Sequence, residues 1–131
     1  MQRLVEEYID KIAVMKTWPD NWDTYGSDAP DHKAVDNAMA FVRLLYRYSQ
    51  ELNWHFDLPL VNASSLGRVC TLFGGRNERR LSFYVEPDGN FYYLGSDTNG
   101  FPREGYMMMC DFTIDRYEEL FRWLNGSQND C

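Results

Sequence analysis

The residues best suited to molecular recognition lie in one short segment, residues 18–31, which we call the Trp-rich loop. Tryptophan and tyrosine dominate the energetic centres of protein interfaces, and exposed carboxylates attract a basic partner over long distances. The segment combines both kinds of side chain and therefore predicts a protein-binding loop. Its candidate contact residues are Trp18, Asp20, Asp23, Asp28 and Asp31.

A structural role is the competing interpretation of the same loop, and we expect it for the middle residues. Trp22 and Tyr25 are predicted to fold inward, because an aromatic side chain buries ~150–250 Å² and a small domain gains much from that area. Asp23 is expected to close a turn through its carboxylate, and Gly26 to supply a positive φ. One of the loop acids is expected to cap the helix that follows.

The sequence predicts no catalytic residue, no metal site and no cofactor. A calcium loop alternates acids or amides around a central glycine and ends in a glutamate, an order that the four loop acids lack. A third hypothesis is an enzyme that uses Cys70 as nucleophile and His55 as base, but no oxyanion-hole motif accompanies these two residues. Gly74 and Gly75 are predicted to form a hairpin turn, because a phosphate cradle needs a helix start.

A cluster of arginines interrupts the acidity of the chain, whose net charge is −7. Residues 68–80 carry a net charge of +3, which comes from Arg68, Arg76, Arg79 and Arg80 against Glu78. The cluster superficially resembles a stacking platform for single-stranded nucleic acid, together with Tyr84, Tyr92 and Tyr93. Because the remaining surface repels phosphate, we expect pairing with Glu78 and Glu86 instead, and no direct nucleic-acid binding.

The cysteines and the hydropathy pattern predict a cytoplasmic protein. Cys70, Cys110 and Cys131 are odd in number and lack the CxxC spacing of a zinc site. Cys70 lies in an apolar run and is predicted to be a small buried side chain. No window approaches the ~20 apolar residues of a membrane span, and the acidic start does not resemble a signal peptide.

Three helices are predicted. Apolar side chains recur at helical spacing over residues 3–16 and again over Asp31–Leu52, with charged residues at the other positions. Pro30 is acceptable just before the first turn of the second helix. Thr113 is predicted to cap the third helix, which ends at Asn125–Gly126.

Between the second and third helices, short alternating segments are typical of β-strands. The turn at 86–89 is the strongest local signal, because Pro87 presets one turn dihedral and Gly89 supplies a positive φ. Pro59 favours an edge position for the first strand, and residues 96–104 are predicted to be a polar loop. The predicted strands are 58–61, 68–73, 80–86, 90–95 and 105–112.

Together these elements predict one α+β domain over residues 1–126 and a frayed tail at 127–131. Two N-terminal helices precede an antiparallel meander of four or five strands, and the C-terminal helix packs on one sheet face. The length of 131 residues suits a single compact domain.

The Trp-rich loop also carries a family resemblance. Residues 21–27, NWDTYGS, followed by Pro30, resemble the NWDGYGA…P opening of a widespread family of small proteins from bacteria and mobile elements. The resemblance extends over about residues 18–95 and includes a Pro-containing segment at 58–61, Gly67 before an apolar strand and a hairpin at 88–89. Thr24 stands where the family has glycine, and Ser27 where it has alanine. The family has no assigned enzymatic activity, so the resemblance implies fold rather than function.

These observations predict a non-enzymatic, acidic protein-binding module. In size and acidity the chain is similar to anti-CRISPR proteins and other small proteins of phages and mobile elements. The first hypothesis is an inhibitor that covers a basic surface of a host nucleic-acid-handling complex. The alternative is a structural or regulatory domain of a bacterial operon, which binds a dedicated partner or forms a homodimer through its sheet face or long helix. Neither hypothesis involves a membrane.

Overall fold

Three helices and a five-stranded antiparallel sheet make up the computed structural model, which describes residues 2–64 and 66–126. The helices are α1 (Gln2–Ala13), α2 (His32–Glu51) and α3 (Ile114–Leu124). The strands are β1 (Leu60–Ala63), β2 (Val69–Gly74), β3 (Arg80–Val85), β4 (Asn90–Asp97) and β5 (Gly100–Met108). Short 3-10 turns follow α1 and β5, at Val14–Thr17 and Met109–Asp111. The predicted α+β class is confirmed, and the predicted tail at 127–131 lies outside the described residues.

Side-chain caps determine where α2 and α3 begin. The Asp31 carboxylate accepts hydrogen bonds from Lys33 N at 2.8 Å and from Ala34 N at 3.3 Å. Thr113 Oγ1 accepts one from Arg116 N at 3.3 Å. These bonds satisfy backbone donors that the first helical turn leaves without partners. Both predicted caps are confirmed.

The strands follow one another across the sheet in chain order, β1-β2-β3-β4-β5, and each is antiparallel to the next. Between β3 and β4 the chain makes the predicted turn through Pro87. Gly89 there adopts a φ of +89°, and its N–H donates to Glu86 O at 3.2 Å. β1 lies at one edge of the sheet, in keeping with Pro59 directly before it.

The last hairpin differs from its prediction. Most of the predicted polar loop at 96–104 is strand, because Asp97 pairs with Gly100 across a tight turn. β5 therefore begins at Gly100 and not at Gly105. Polar residues and Pro102 have the composition of a loop, but an edge strand tolerates both, since only one side of it must pair.

The core lies between the helices and one face of the sheet. Phe41 of α2 is fully buried at its centre, with the rings of Phe83 and Phe91 each 4.9 Å away between centroids. Phe121 of α3 contacts Phe73 of β2 at 5.0 Å. Along β2, β3 and β4 every second residue is buried, which is the alternation expected of a sheet covered on one side.

No element of the described residues covers the opposite face, which we call the open sheet face. The register aligns one residue of each strand in a central row, formed by Asn62, Cys70, Tyr84, Tyr92 and Tyr106. A second row beside it is formed by Leu60, Leu72, Ser82, Leu94 and Glu104. Cys70 is thus only half-buried, on this face, and the prediction that it is a small buried side chain is wrong.

Candidate protein-binding site

Backbone and side-chain hydrogen bonds brace the Trp-rich loop from within. Asn21 N donates to Ser27 O at 2.7 Å, and Gly26 N donates to Asn21 Oδ1 at 2.7 Å. Positive φ values of +61°, +66° and +81° occur at Asn21, Thr24 and Gly26. The positive φ predicted for Gly26 is confirmed, and the segment between Asn21 and Ser27 forms a closed turn.

Two of the loop acids hold this backbone. Asp23 accepts hydrogen bonds from Ser27 Oγ at 2.5 Å and from Tyr25 N at 2.9 Å. The Ser27 hydroxyl, followed by the Tyr25 amide, holds the pKa of Asp23 below its usual value. Asp20 accepts a hydrogen bond from Ala29 N at 2.8 Å, a structural role that the sequence did not predict.

Asp28 differs from the other loop acids. Asp31 caps α2, but the Asp28 carboxylate is exposed and makes no hydrogen bond or ion pair with the described part of the chain. Of the four predicted partner-binding acids, Asp28 therefore has a side chain without a structural role.

Trp18 and Trp22 pack against each other, with ring centroids 5.1 Å apart and ring planes at 40°. Both are half-buried and contact the core, and Trp22 Nε1 donates to Asp28 O at 2.9 Å. Trp22 therefore folds inward as predicted. Trp18 also lines a groove of about 210 Å³, with Met15 and Leu60 among its walls.

Tyr25 has the opposite orientation. Its side chain is 89% exposed, so the prediction that it folds inward is wrong. It lies between Thr24 and Gly26, whose positive φ values reverse the chain, and the two tryptophans already occupy the inward side. The backbone amide of Tyr25 is nevertheless held by its hydrogen bond to the Asp23 carboxylate.

Contacts at the C-terminal end attach the Trp-rich loop to the sheet and to α1. Asp31 N donates to Gly67 O at 2.9 Å in the turn between β1 and β2. Gly67 has a φ of +82°, and a Cβ there would lie 3.2 Å from Ala29 O, so both its backbone conformation and the close approach favour glycine. His32 Nε2 lies 2.9 Å from Lys16 O, just after α1. The loop is therefore held at a defined position on the domain.

The arginine cluster is not a single patch. Arg68 lies over the Tyr84 ring, 5.2 Å from its centroid, and pairs with Glu86 at 3.7 Å on the open sheet face. The predicted pairing with Glu86 is found, whereas Glu78 makes no salt bridge within residues 2–64 and 66–126.

Tyr92 and Arg80 share the open sheet face with Arg68 and Tyr84, but Arg79 and Tyr93 of the supposed stacking platform lie elsewhere. Arg79 lies over the ring of Trp123 in α3, 5.1 Å from its centroid. Tyr93 faces the helices, where its ring covers Gly105 so closely that a Cβ there would lie 2.7 Å from the ring. Tyr106 takes its place on the open sheet face. The sequence did not predict that Tyr106, and not Tyr93, lies beside Tyr92. Alternation shows that the residues of a strand point to two faces, but it does not show which of them share a face with the residues of the next strand.

His55 and Cys70 lie on opposite faces of the sheet and form no catalytic pair. His55 Nε2 contacts Asp57 Oδ1 at 2.9 Å, and His55 lines a small cleft with Phe73 on the helix side. Burial raises the pKa of the Cys70 thiol, which disfavours the thiolate that a nucleophile requires.

Comparisons with protein-family models, curated proteins and solved structures found no match to this chain. Within residues 2–64 and 66–126, no three His, Cys, Asp or Glu side chains come together as a metal site would require. None of the helices in those ranges is long and apolar enough to cross a membrane. The function must therefore be inferred from surface geometry and charge.

Proposed function

We propose that the protein is a non-enzymatic binding module whose Trp-rich loop docks on a basic surface of a partner protein. The observation that carries this proposal is the 89% exposure of Tyr25 on a loop whose backbone is held in place around it. In the free protein the Tyr25 ring adds nothing to the core. At an interface it would bury ~150–250 Å² of surface.

The hydrogen bonds within the loop favour binding because they leave little to be ordered. The Tyr25 amide is bonded to Asp23, and the Gly26 amide is bonded to Asn21. Immobilising a flexible side chain on binding costs ~0.5–1.5 kcal/mol, and ordering a mobile loop adds to that cost. A loop that is already closed avoids most of the second cost.

Charge favours a basic partner. No lysine or arginine occurs within residues 18–31, and the whole chain carries a net charge of −7. The exposed carboxylate of Asp28 is available to a cationic group. The pKa of Asp23 is lowered by its hydrogen bonds, so this residue also carries a negative charge in the loop. Such a surface steers association with a positively charged surface.

The partner that we propose is a nucleic-acid-handling complex in the host cytoplasm, and the module acts on it as an inhibitor encoded by a phage or mobile element. An acidic protein and a nucleic acid compete for one cationic surface, because each neutralises the same lysines and arginines. Residues 21–27 resemble the NWDGYGA opening of a family of small proteins from bacteria and mobile elements, which is consistent with this origin.

Affinity capture from a bacterial lysate, at an ionic strength of about 0.15 M, tests the proposal with three variants. We expect Tyr25→Ala to lose a saturable partner and to keep the melting temperature of the wild type. Trp22→Ala should lower the melting temperature, because it removes a half-buried ring that packs on Trp18. Phe101→Ala is the matched control: it removes an exposed aromatic ring from β5, outside the Trp-rich loop, and should retain the partner.

Kinetics with the purified partner provide the second measurement. The association rate should fall steeply as the Debye length shortens from ~30 Å at 0.01 M to ~8 Å at 0.15 M salt. Asp28→Asn should lower the association rate without changing stability. Adding Asp20→Asn should lower the rate further by removing a second negative charge, and the loop should stay folded because the asparagine oxygen can still accept the Ala29 N–H. Nucleic acid should displace the protein from the partner. Capture that is indifferent to Tyr25→Ala, to salt and to both aspartates would overturn the proposal.

A further inference from the structure

We propose that a second copy of this chain packs on the open sheet face, forming a face-to-face dimer. This surface is separate from the Trp-rich loop, and the inference goes beyond the partner binding proposed for that loop. The helices lie on the other side of the sheet, while the outward residues of β2, β3 and β4 remain partly exposed.

The composition of the open sheet face is that of an interface core. Its two rows contain three tyrosines, three leucines and a single charged residue, Glu104, although the chain as a whole is strongly acidic. Leu60 is 73% exposed, Tyr106 57% and Met108 51%. Tyrosine and methionine are enriched at interfaces, whereas lysine and aspartate are depleted there.

The charge balance of the open sheet face suits a second copy as the occupant. Two copies of a chain with a net charge of −7 repel one another over most of their surface. On the open sheet face, two arginines balance two glutamates, namely Arg68 and Arg80 against Glu86 and Glu104. A two-fold axis places the same surface on both partners, so that surface must complement itself, and equal numbers of both signs allow this.

The same charges disfavour a nucleic acid on the tyrosine row. Tyr92 OH donates to Glu104 Oε2 at 2.7 Å, and Tyr106 OH donates to Glu86 Oε1 at 3.1 Å. Carboxylates therefore lie beside the rings on which bases would stack, and they repel the phosphates that accompany those bases.

The area is of the order that a dimer needs. Five strands at ~4.8 Å spacing, each with about six residues of ~3.3 Å rise, give a flat footprint of ~500 Å². The relief of the side chains increases the accessible area above that footprint. A standard interface buries ~800 Å² on each partner.

Sedimentation velocity with the full chain, from about 1 µM to about 1 mM, tests the proposal, because weak and moderate dimers dissociate in that range. The wild type should shift from monomer to dimer with rising concentration. Leu94→Lys places a like charge on both copies near the middle of the face and should raise the dissociation constant at least tenfold. Tyr106→Ala should also weaken the dimer. The matched control Leu4→Lys adds the same charge at an exposed position of α1 and should sediment as the wild type does.

Thermal melts establish that each variant is folded before it is compared. A wild type that stays monomeric over the whole range would overturn the proposal, as would a Leu94→Lys variant that dimerises like the wild type. A monomer that binds a single-stranded oligonucleotide, and loses it on Tyr106→Ala, would assign the face to nucleic acid instead. Tyr25→Ala should leave the dimer intact, so this proposal and that for the Trp-rich loop succeed or fail separately.

Discussion

Ser27 Oγ donates a 2.5 Å hydrogen bond to Asp23 Oδ2, and this pair closes the turn that presents Tyr25. Because the bond favours the charged carboxylate, the pKa of Asp23 is lower in the folded loop than its ordinary value of 3.8. The stabilisation is therefore complete above pH 3.8 and is lost as the pH falls through the lower, folded value.

The first prediction follows from that pair. In an acid titration followed by tryptophan fluorescence, Ser27→Ala should move the opening of the loop to higher pH, because it removes the largest cause of the lowered pKa. Ser96→Ala, on β4, is the control and should leave the midpoint where it is in the wild type. Equal midpoints for Ser27→Ala and the wild type would contradict the role assigned to the hydroxyl.

Thr24→Gly should stabilise the protein. Thr24 adopts a φ of +66°, a conformation that costs an L-residue ~1–2 kcal/mol, and a branched Cβ makes it rarer still. Glycine removes this cost, but its greater freedom in the unfolded chain offsets ~0.5–1 kcal/mol of the gain, so the free energy of unfolding should rise by up to ~1.5 kcal/mol. Thr98→Gly, in a turn without positive φ at that residue, should lower it. Urea denaturation measures both, and a loss of stability in Thr24→Gly would refute the strain argument.

Adjacent glycines at the end of β2 should respond differently to alanine. A Cβ at Gly75 would overlap Leu124 O and lie 2.7 Å from side-chain carbons of the same leucine, whereas a Cβ at Gly74 meets nothing within 4 Å. Gly75→Ala should therefore cost ~1–3 kcal/mol, as overpacking does. Gly74→Ala should change the free energy of unfolding by less than ~0.5 kcal/mol. Similar melting temperatures for the two variants would show that α3 is not seated against this turn.

Tyr8 should make the fold sensitive to alkali. Its hydroxyl donates to Pro59 O, and burial raises its pKa from 10 to about 12. The neutral phenol is thus favoured in the folded state, so stability is complete below pH 10 and declines as the pH rises toward 12. Tyr8→Phe should flatten this decline, because phenylalanine does not ionise. Phe101→Leu, at an exposed position without an ionisable group, should leave the profile of the wild type unchanged. A Tyr8→Phe profile as steep as that of the wild type would contradict the assignment.

Local backbone chemistry explains why much of the fold was predictable. The caps Asp31 and Thr113 act on amides two or three residues away, and the turn through Pro87 and Gly89 closes within four residues. Short connections then favour an antiparallel order of neighbouring strands. None of these features depends on residues distant in the chain, so local sequence was enough to predict the helices, most of the strands and the meander.

The candidate surfaces depended on tertiary structure. Alternation predicts that a strand has two faces, but only the register between strands and the position of the helices decide which face is covered. For that reason Tyr93 is buried and Tyr106 exposed, and Cys70 lies on the open sheet face. Similarly, the composition of the Trp-rich loop was compatible both with binding a partner protein and with packing of its aromatic rings into the core. Only the folded turn separated Trp22, which packs inward, from Tyr25, which does not, because the space available to each ring is set by residues far away in the sequence.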